Sequence, residues 1–291
     1  MLSDLFAVIA PVFLTALVGY LWVKSGRDFD VKQLTPLIIT VGTPCLVVST
    51  LLTADLDVMA LGQIAGAAVL AHSLAAAIGW VLLRAAKLPI TSYLPALAFP
   101  NTGNMGLPLC LFAFGEKGLA LAIGYFVVSA IGQFTLGYAI SAGHMDLKRL
   151  VRTPIIWAVA IAVALLMTDT SLPRWAMNTL GLIGQFNIPL MLLALGVSLA
   201  GLSVKRLGVP LILSCLRIAG GAGLGFAIAW GLDLEGIARG VVILQTAMPV
   251  AVFNYLFAQV HGNRPEEVAG LVVVSTGLSF ATLPLLLAFL L

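Results

Sequence analysis

Charge is scarce in this chain, and the little it has keeps to particular places. Only 9% of its 291 residues are Asp, Glu, Lys or Arg, against about 25% in an ordinary soluble domain. The twelve acidic residues fall at positions 4, 28, 30, 55, 57, 116, 146, 169, 233, 235, 266 and 267, all between or at the ends of apolar stretches. No mid-stretch carboxylate is available to bind sodium or relay a proton, and intramembrane chemistry by paired aspartates is excluded. Cysteine is equally sparse: Cys45, Cys110 and Cys215 all sit inside apolar stretches. Without a Cys/His ligand spacing they read as free apolar thiols, and neither a metal nor a cofactor is called for. Ser73 follows His72 directly, but neighbouring helix positions face different ways, so a Ser–His nucleophile is not formed there. The composition points away from an enzyme.

Hydrophobicity is what the chain has in abundance, at 61% of residues and a mean hydropathy of +1.11. A membrane-crossing helix needs about 20 apolar residues. Ten stretches qualify, at about 4–23, 34–53, 58–83, 92–114, 117–141, 154–168, 173–200, 208–231, 237–260 and 267–291. The fold class is therefore an all-α polytopic membrane protein with ten transmembrane helices. The start, MLSDLFAVIA, lacks the basic segment of a cleaved signal peptide, so the first stretch reads as a retained span. No soluble domain, long linker or low-complexity tract interrupts the series.

The basic residues set the orientation. Of fifteen Lys and Arg, eleven lie in odd-numbered loops: Lys24, Arg27, Lys32, Arg84, Lys87, Lys148, Arg149, Arg152, Lys205, Arg206 and Arg264. Even-numbered loops hold Lys117, Arg174 and Arg239. Positive loops stay inside, which places both termini outside the cytoplasm. The net charge of +3 belongs to these loops and is no nucleic-acid surface. Ten spans divide into five and five around the basic loop 143–153, giving repeats at 1–142 and 154–291. An odd number of spans per half makes the repeats inverted.

Two stretches are interrupted alike in the two halves: FPNTGNMGLPLCLF (99–112) and LQTAMPVAVFNYLF (244–257). Each carries a proline, Pro108 or Pro249, four residues after a carboxamide, Asn104 or Gln245. Proline removes a helical hydrogen bond, so if the helix persists the freed carbonyls belong to Asn104 and Gln245. Unsatisfied backbone survives in a membrane only against protein or a wet cavity, and paired interruptions point to a transporter's binding site. The second spans match more weakly, ITVGTPCLVVSTL (39–51) with QFNIPLMLLALGVSL (185–199), setting Pro44 opposite Pro189.

The candidate site follows. Asn101, Thr102, Gly103, Asn104 and Gly106 make a polar, flexible break, whose downstream half-helix offers N–H groups and a partial positive charge to an anion. Gln245 and Thr246 join from the other half. Asn254, further on, reads as an interhelical hydrogen-bonding residue. Arg217 is the one strong cation within a span. It is either a counter-charge for a substrate or a donor to the carbonyls of a broken helix. His72, mid-span in the third helix, is either a proton-coupling group or a packed neutral ring.

PNTGNMGLPL (100–109), IPLMLLALGVSLAG (188–201) and LQTAMPVAVFNYLFA (244–258) resemble helices four, seven and nine of the auxin efflux carrier family of membrane transport proteins. The resemblance implies two inverted five-helix repeats, helices four and nine crossing near the membrane centre, and an elevator-like transport domain on a scaffold that often forms a homodimer. It also implies a small organic anion as substrate: malate, malonate or an auxin-like acid. The short central loop fits a bacterial inner-membrane member. Related bile-acid-type symporters place an acidic residue near the ninth-helix crossing, where this chain has Gln245, which argues against sodium. Facilitated export, exchange, sodium-coupled symport, proton-coupled symport through His72, and an anion channel remain open on the sequence.

Overall fold

The computed structural model describes residues 2–54, 58–145, 153–202, 204 and 207–291. Asp55, Asp57, Asp146, Lys148, Arg149, Arg152, Lys205 and Arg206, and with them most of the expected connecting loop 143–153, lie outside the described residues.

The apolar stretches are helices. In chain order they are α1 (Leu2–Lys24), α2 (Val31–Leu37), α3 (Thr43–Thr53), α4 (Val58–Ala85), α5 (Ile90–Ala98), α6 (Leu107–Gly132) and α7 (Tyr138–Ala142). The second half holds α8 (Pro154–Met167), α9 (Arg174–Gly201), α10 (Gly208–Gly231), α11 (Gly236–Thr246), α12 (Val252–His261) and α13 (Pro265–Leu290). Three wide π-helical turns join neighbours, at Ile38–Gly42, Thr102–Gly106 and Gln133–Gly137. Among the described residues seven helical stretches are long and apolar enough to cross a membrane, one of them the continuous run Thr102–Ala142. That run bends where Gly115 takes a left-handed φ of 69°, a conformation glycine adopts without steric cost. α8 and α11 are apolar but shorter. The chain is a multi-pass, all-helical membrane protein.

Proline position explains the local breaks. Pro44 and Pro108 each stand in the first turn of a helix that follows a π-helical turn, where the missing N–H costs nothing. Pro189 instead lies inside continuous α9, so the matched prolines of the second spans behave differently. Their neighbourhoods nevertheless meet, since Asn187 Nδ2 donates to Thr43 Oγ1 at 3.2 Å.

Helix packing falls into two groups. α1, α3, α8 and α9 pack on one another, and α4, α5, α6, α10, α11, α12 and α13 form the other bundle. Glycine sets the closest approach in the first group. A Cβ on Gly196 would collide with the Ala16 carbonyl, and one on Gly19 with the Leu193 carbonyl. Backbones that touch through small residues gain dispersion contacts, which drive helix association in lipid. All five tryptophans are exposed and stand near helix ends, Trp22 and Trp80 under the guanidinium groups of Arg27 and Arg84. That arrangement suits the membrane–water boundary.

Candidate functional site

The two interrupted stretches touch. α5 ends at Ala98, the chain runs extended through Phe99, and the next helical turn begins at Thr102. In the other half α11 ends at Thr246 and α12 begins at Val252. Pro100 and Val250 form an antiparallel bridge, and the Asn101 N–H donates to Pro249 O at 2.7 Å. A second tie comes from α13, where Ser275 Oγ accepts the Val250 N–H at 3.0 Å.

The carbonyls that take donors from outside their own helix are not those of Asn104 and Gln245. They belong to Leu97 and Phe99 on one side and Thr246, Met248 and Pro249 on the other. The reason is where the chain breaks. Pro108 sits one turn downstream of the interruption, within regular helix, and Pro249 lies in the interruption itself.

Arg217 serves three of these carbonyls. It is 4% exposed, and its guanidinium donates to Leu97 O at 2.7 Å, Met248 O at 3.3 Å and Thr246 O. One side chain on α10 thus ties both breaks together. Of the two sequence readings of Arg217, the geometry is that of a donor to broken helices.

A cavity of about 370 Å³ lies against the breaks, between the two helix groups, within the range of small-ligand sites. Asn101, Thr102, Gly103 and Asn104 line it from the first break, and Ala251 and Val252 from the second. Thr43 and Met191 face them from the other group, and Phe126, Phe134, Phe253 and Tyr255 supply aromatic surface. The wall also includes Thr35, Thr153, Gly201 and Leu202, at helix ends next to the basic loops. No charged side chain lines it among the described residues. No cluster of three His, Cys, Asp or Glu suited to a metal occurs among them either, and the three cysteines are free thiols.

The remaining expected residues sit behind this wall. Gln245 is fully buried, packed against Gly106, with neither amide atom bonded to protein. Thr246 Oγ1 donates to Val242 O at 2.6 Å and lies 2.9 Å from the Tyr125 hydroxyl. His72 is packed 5.5 Å from the rings of both Phe99 and Tyr125. The Ala68 carbonyl can only accept, so His72 Nδ1 carries a proton and donates at 2.6 Å, while Nε2 lies 3.0 Å from Ser129 Oγ. Asn254 donates across to Phe99 O, an interhelical hydrogen bond as the sequence suggested. Gln133 was not singled out by the sequence, yet it lines the cavity and donates to Asn254. Its one visible signal is a carboxamide in an otherwise apolar span.

Comparison with known proteins agrees with the architecture. An uncharacterised transporter of Methanothermobacter thermautotrophicus is 26% identical over 95% of each chain. Another, of Methanocaldococcus jannaschii, is 24% identical over 64% of this chain and 63% of its own length. The family described as "Membrane transport protein" matches residues 4–143 and 140–287. Its members, like these relatives, are transporters rather than enzymes. The chain belongs to this membrane transport family, the auxin efflux carriers.

Proposed function

We propose that this protein is a secondary carrier for a small organic anion, with one carboxylate and an apolar body as the best-fitting cargo. The observation that carries the reading is the cavity built against two touching helix breaks. One side offers Asn101, Thr102 and Asn104, and the rest is largely aromatic and aliphatic, with Gln133 and scattered hydroxyl groups but no cation among the described residues. The first N–H groups of the turn at Thr102–Gly106 lack intrahelical acceptors, and the helix start favours negative charge. A second carboxylate, as in malate or malonate, would meet a wall with no cation to balance it among the described residues.

In this reading the helices make ten crossings in two inverted five-helix repeats, with the breaks crossing near the membrane centre. The touching of equivalent segments supports it, both at Pro100–Val250 and at Thr43–Asn187. The division into two packed groups with the cavity between them supports elevator-type alternating access. Both termini lie outside, in a bacterial inner membrane, and the cavity faces the basic, cytoplasmic side. A homodimer is part of the proposal through the family resemblance. His72 lies outside the cavity wall, and no carboxylate is found there among the described residues, so the simplest carrier is driven by charge alone. One negative charge across 100 mV is worth about 2.3 kcal/mol, roughly a 40- to 50-fold gradient.

Proteoliposomes carrying the purified protein test this with labelled phenylacetate and malonate, varying potential and pH gradient separately. Saturable phenylacetate flux that follows the potential is expected, with malonate weaker. Flux of neither anion would reject the carrier reading, and flux indifferent to potential would reject charge-driven uniport.

A further inference from the structure

One cavity-wall residue outside the two breaks is tied to both. Gln133 opens the π-helical turn Gln133–Gly137 and is 6% exposed. Its Nε2 donates to Asn254 Oδ1 at 3.4 Å, and Asn254 Nδ2 donates to Phe99 O at 3.0 Å. Asn254 belongs to α12, just past the second break, whereas Phe99 is where α5 ends at the first. The same turn grips the Phe99 ring. A Cβ on Gly132 would stand 2.7 Å from Phe99 Cε1, and one on Gly137 would stand 3.0 Å from Cδ2. Wide helical turns of this kind recur at functional sites.

We infer that Gln133 and Asn254 are positioning residues that couple the cavity wall to the geometry of both breaks, a role that rests on the cavity being the cargo site. The physical reason is the symmetry of an amide. The two ends of Asn254's carboxamide are nearly identical in shape, one donating and the other accepting. The buried Phe99 carbonyl needs the donating end, and by giving an N–H to Oδ1 Gln133 fixes that orientation. Without Gln133's donor, Asn254 Oδ1 is left buried and unpaired, and a side chain that moves to satisfy it gives up its bond to the Phe99 carbonyl, which weakens the hold on the first break. The Gln133–Asn254 bond is long, while a carboxylate is a stronger, charge-assisted acceptor for the same N–H. Cargo that takes this N–H frees Asn254 and so loosens the link between the breaks.

The reporter is the Asn101 amide, whose bond to Pro249 O spans the bridge. Hydrogen–deuterium exchange on the purified full-length protein in nanodiscs, without ligand, compares wild type with Asn254→Leu, Gln133→Met and the double variant. Both replacements keep side-chain bulk and remove the amide. Each is expected to speed exchange at Asn101 and over 247–251 by about tenfold, the upper range for one hydrogen bond. α10 and α13 should stay protected, and the double variant should exchange no faster than Asn254→Leu alone. A packing role alone would lower Tm and loosen α12 throughout. Unchanged Asn101 exchange in folded Gln133→Met, or additive effects in the double variant, overturns the inference. Should Asn254→Leu fail to fold, Gln133→Met decides by itself. Because no ligand enters the measurement, this failure is distinguishable from the absence of anion flux.

Discussion

Replacing Arg217 by methionine separates a helix-break donor from a cargo counter-charge. The methionine stem fills much of the same space, so the main change is that the carbonyls of Leu97, Thr246 and Met248 lose their donor. Each buried group left unpaired costs about 1–3 kcal/mol. Three such groups set an upper bound of about 9 kcal/mol, and relief of the guanidinium's own desolvation offsets several kcal/mol of it. A net loss of about 3–5 kcal/mol remains, a large share of the roughly 5–15 kcal/mol that holds a folded domain together. At about 2–4 °C per kcal/mol, Tm should fall by about 10 °C. With the half-buried Cys45 and exposed Cys215 replaced by serine in every variant, the fully buried Cys110 supplies the signal, because a thiol-reactive dye labels it only as the protein opens. Arg217→Lys keeps the charge but not the three-way fork, and should fall between the two. Anion affinity, measured on the same preparations at temperatures where both are folded, should change little, because Arg217 does not line the cavity. An Arg217→Met protein with unchanged Tm and no anion binding would refute the reasoning.

Two further substitutions test the packing and the wall. Gly196→Ala drives a methyl group into the Ala16 carbonyl, with Tyr20 N only 2.8 Å away. Neither is a side chain that can move aside, so a loss of about 1–3 kcal/mol is expected in thermal unfolding, and an unchanged Tm would mean that α1 and α9 are not held this closely. Asn101→Leu removes a buried Nδ2 that has no protein partner but belongs to the cavity wall. Tm should hold or rise while anion affinity drops about tenfold, and full affinity in titration calorimetry would take Asn101 out of the site.

The apolar stretches were legible because lipid imposes a simple rule: any segment crossing it must be long, uncharged and internally hydrogen-bonded. Helix limits such as Leu2–Lys24 and Gly208–Gly231 lie close to the expected 4–23 and 208–231. The breaks were legible too, since proline and glycine mark where a helix cannot continue. Less legible was which carbonyls a break frees. Proline spacing pointed to Asn104 and Gln245, yet the chain opens upstream of Pro108, where a wide turn absorbs the missing N–H. Gln133 left hardly any trace, because one carboxamide in an apolar span looks the same whether it lines a cavity or joins two helices.

Composition and the long apolar stretches determined by themselves that this chain is a multi-pass membrane protein, because those features answer to the bilayer and need no knowledge of neighbours, while its family showed only as a resemblance of three motifs. The meeting of Pro100 with Val250, the sharing of Arg217 between both breaks, and the placing of Asn101 in the wall but Gln245 behind it were decided only by the tertiary structure. Each depends on which faces of distant helices come together, and a polar side chain's role in a membrane is set by the partner it finds there.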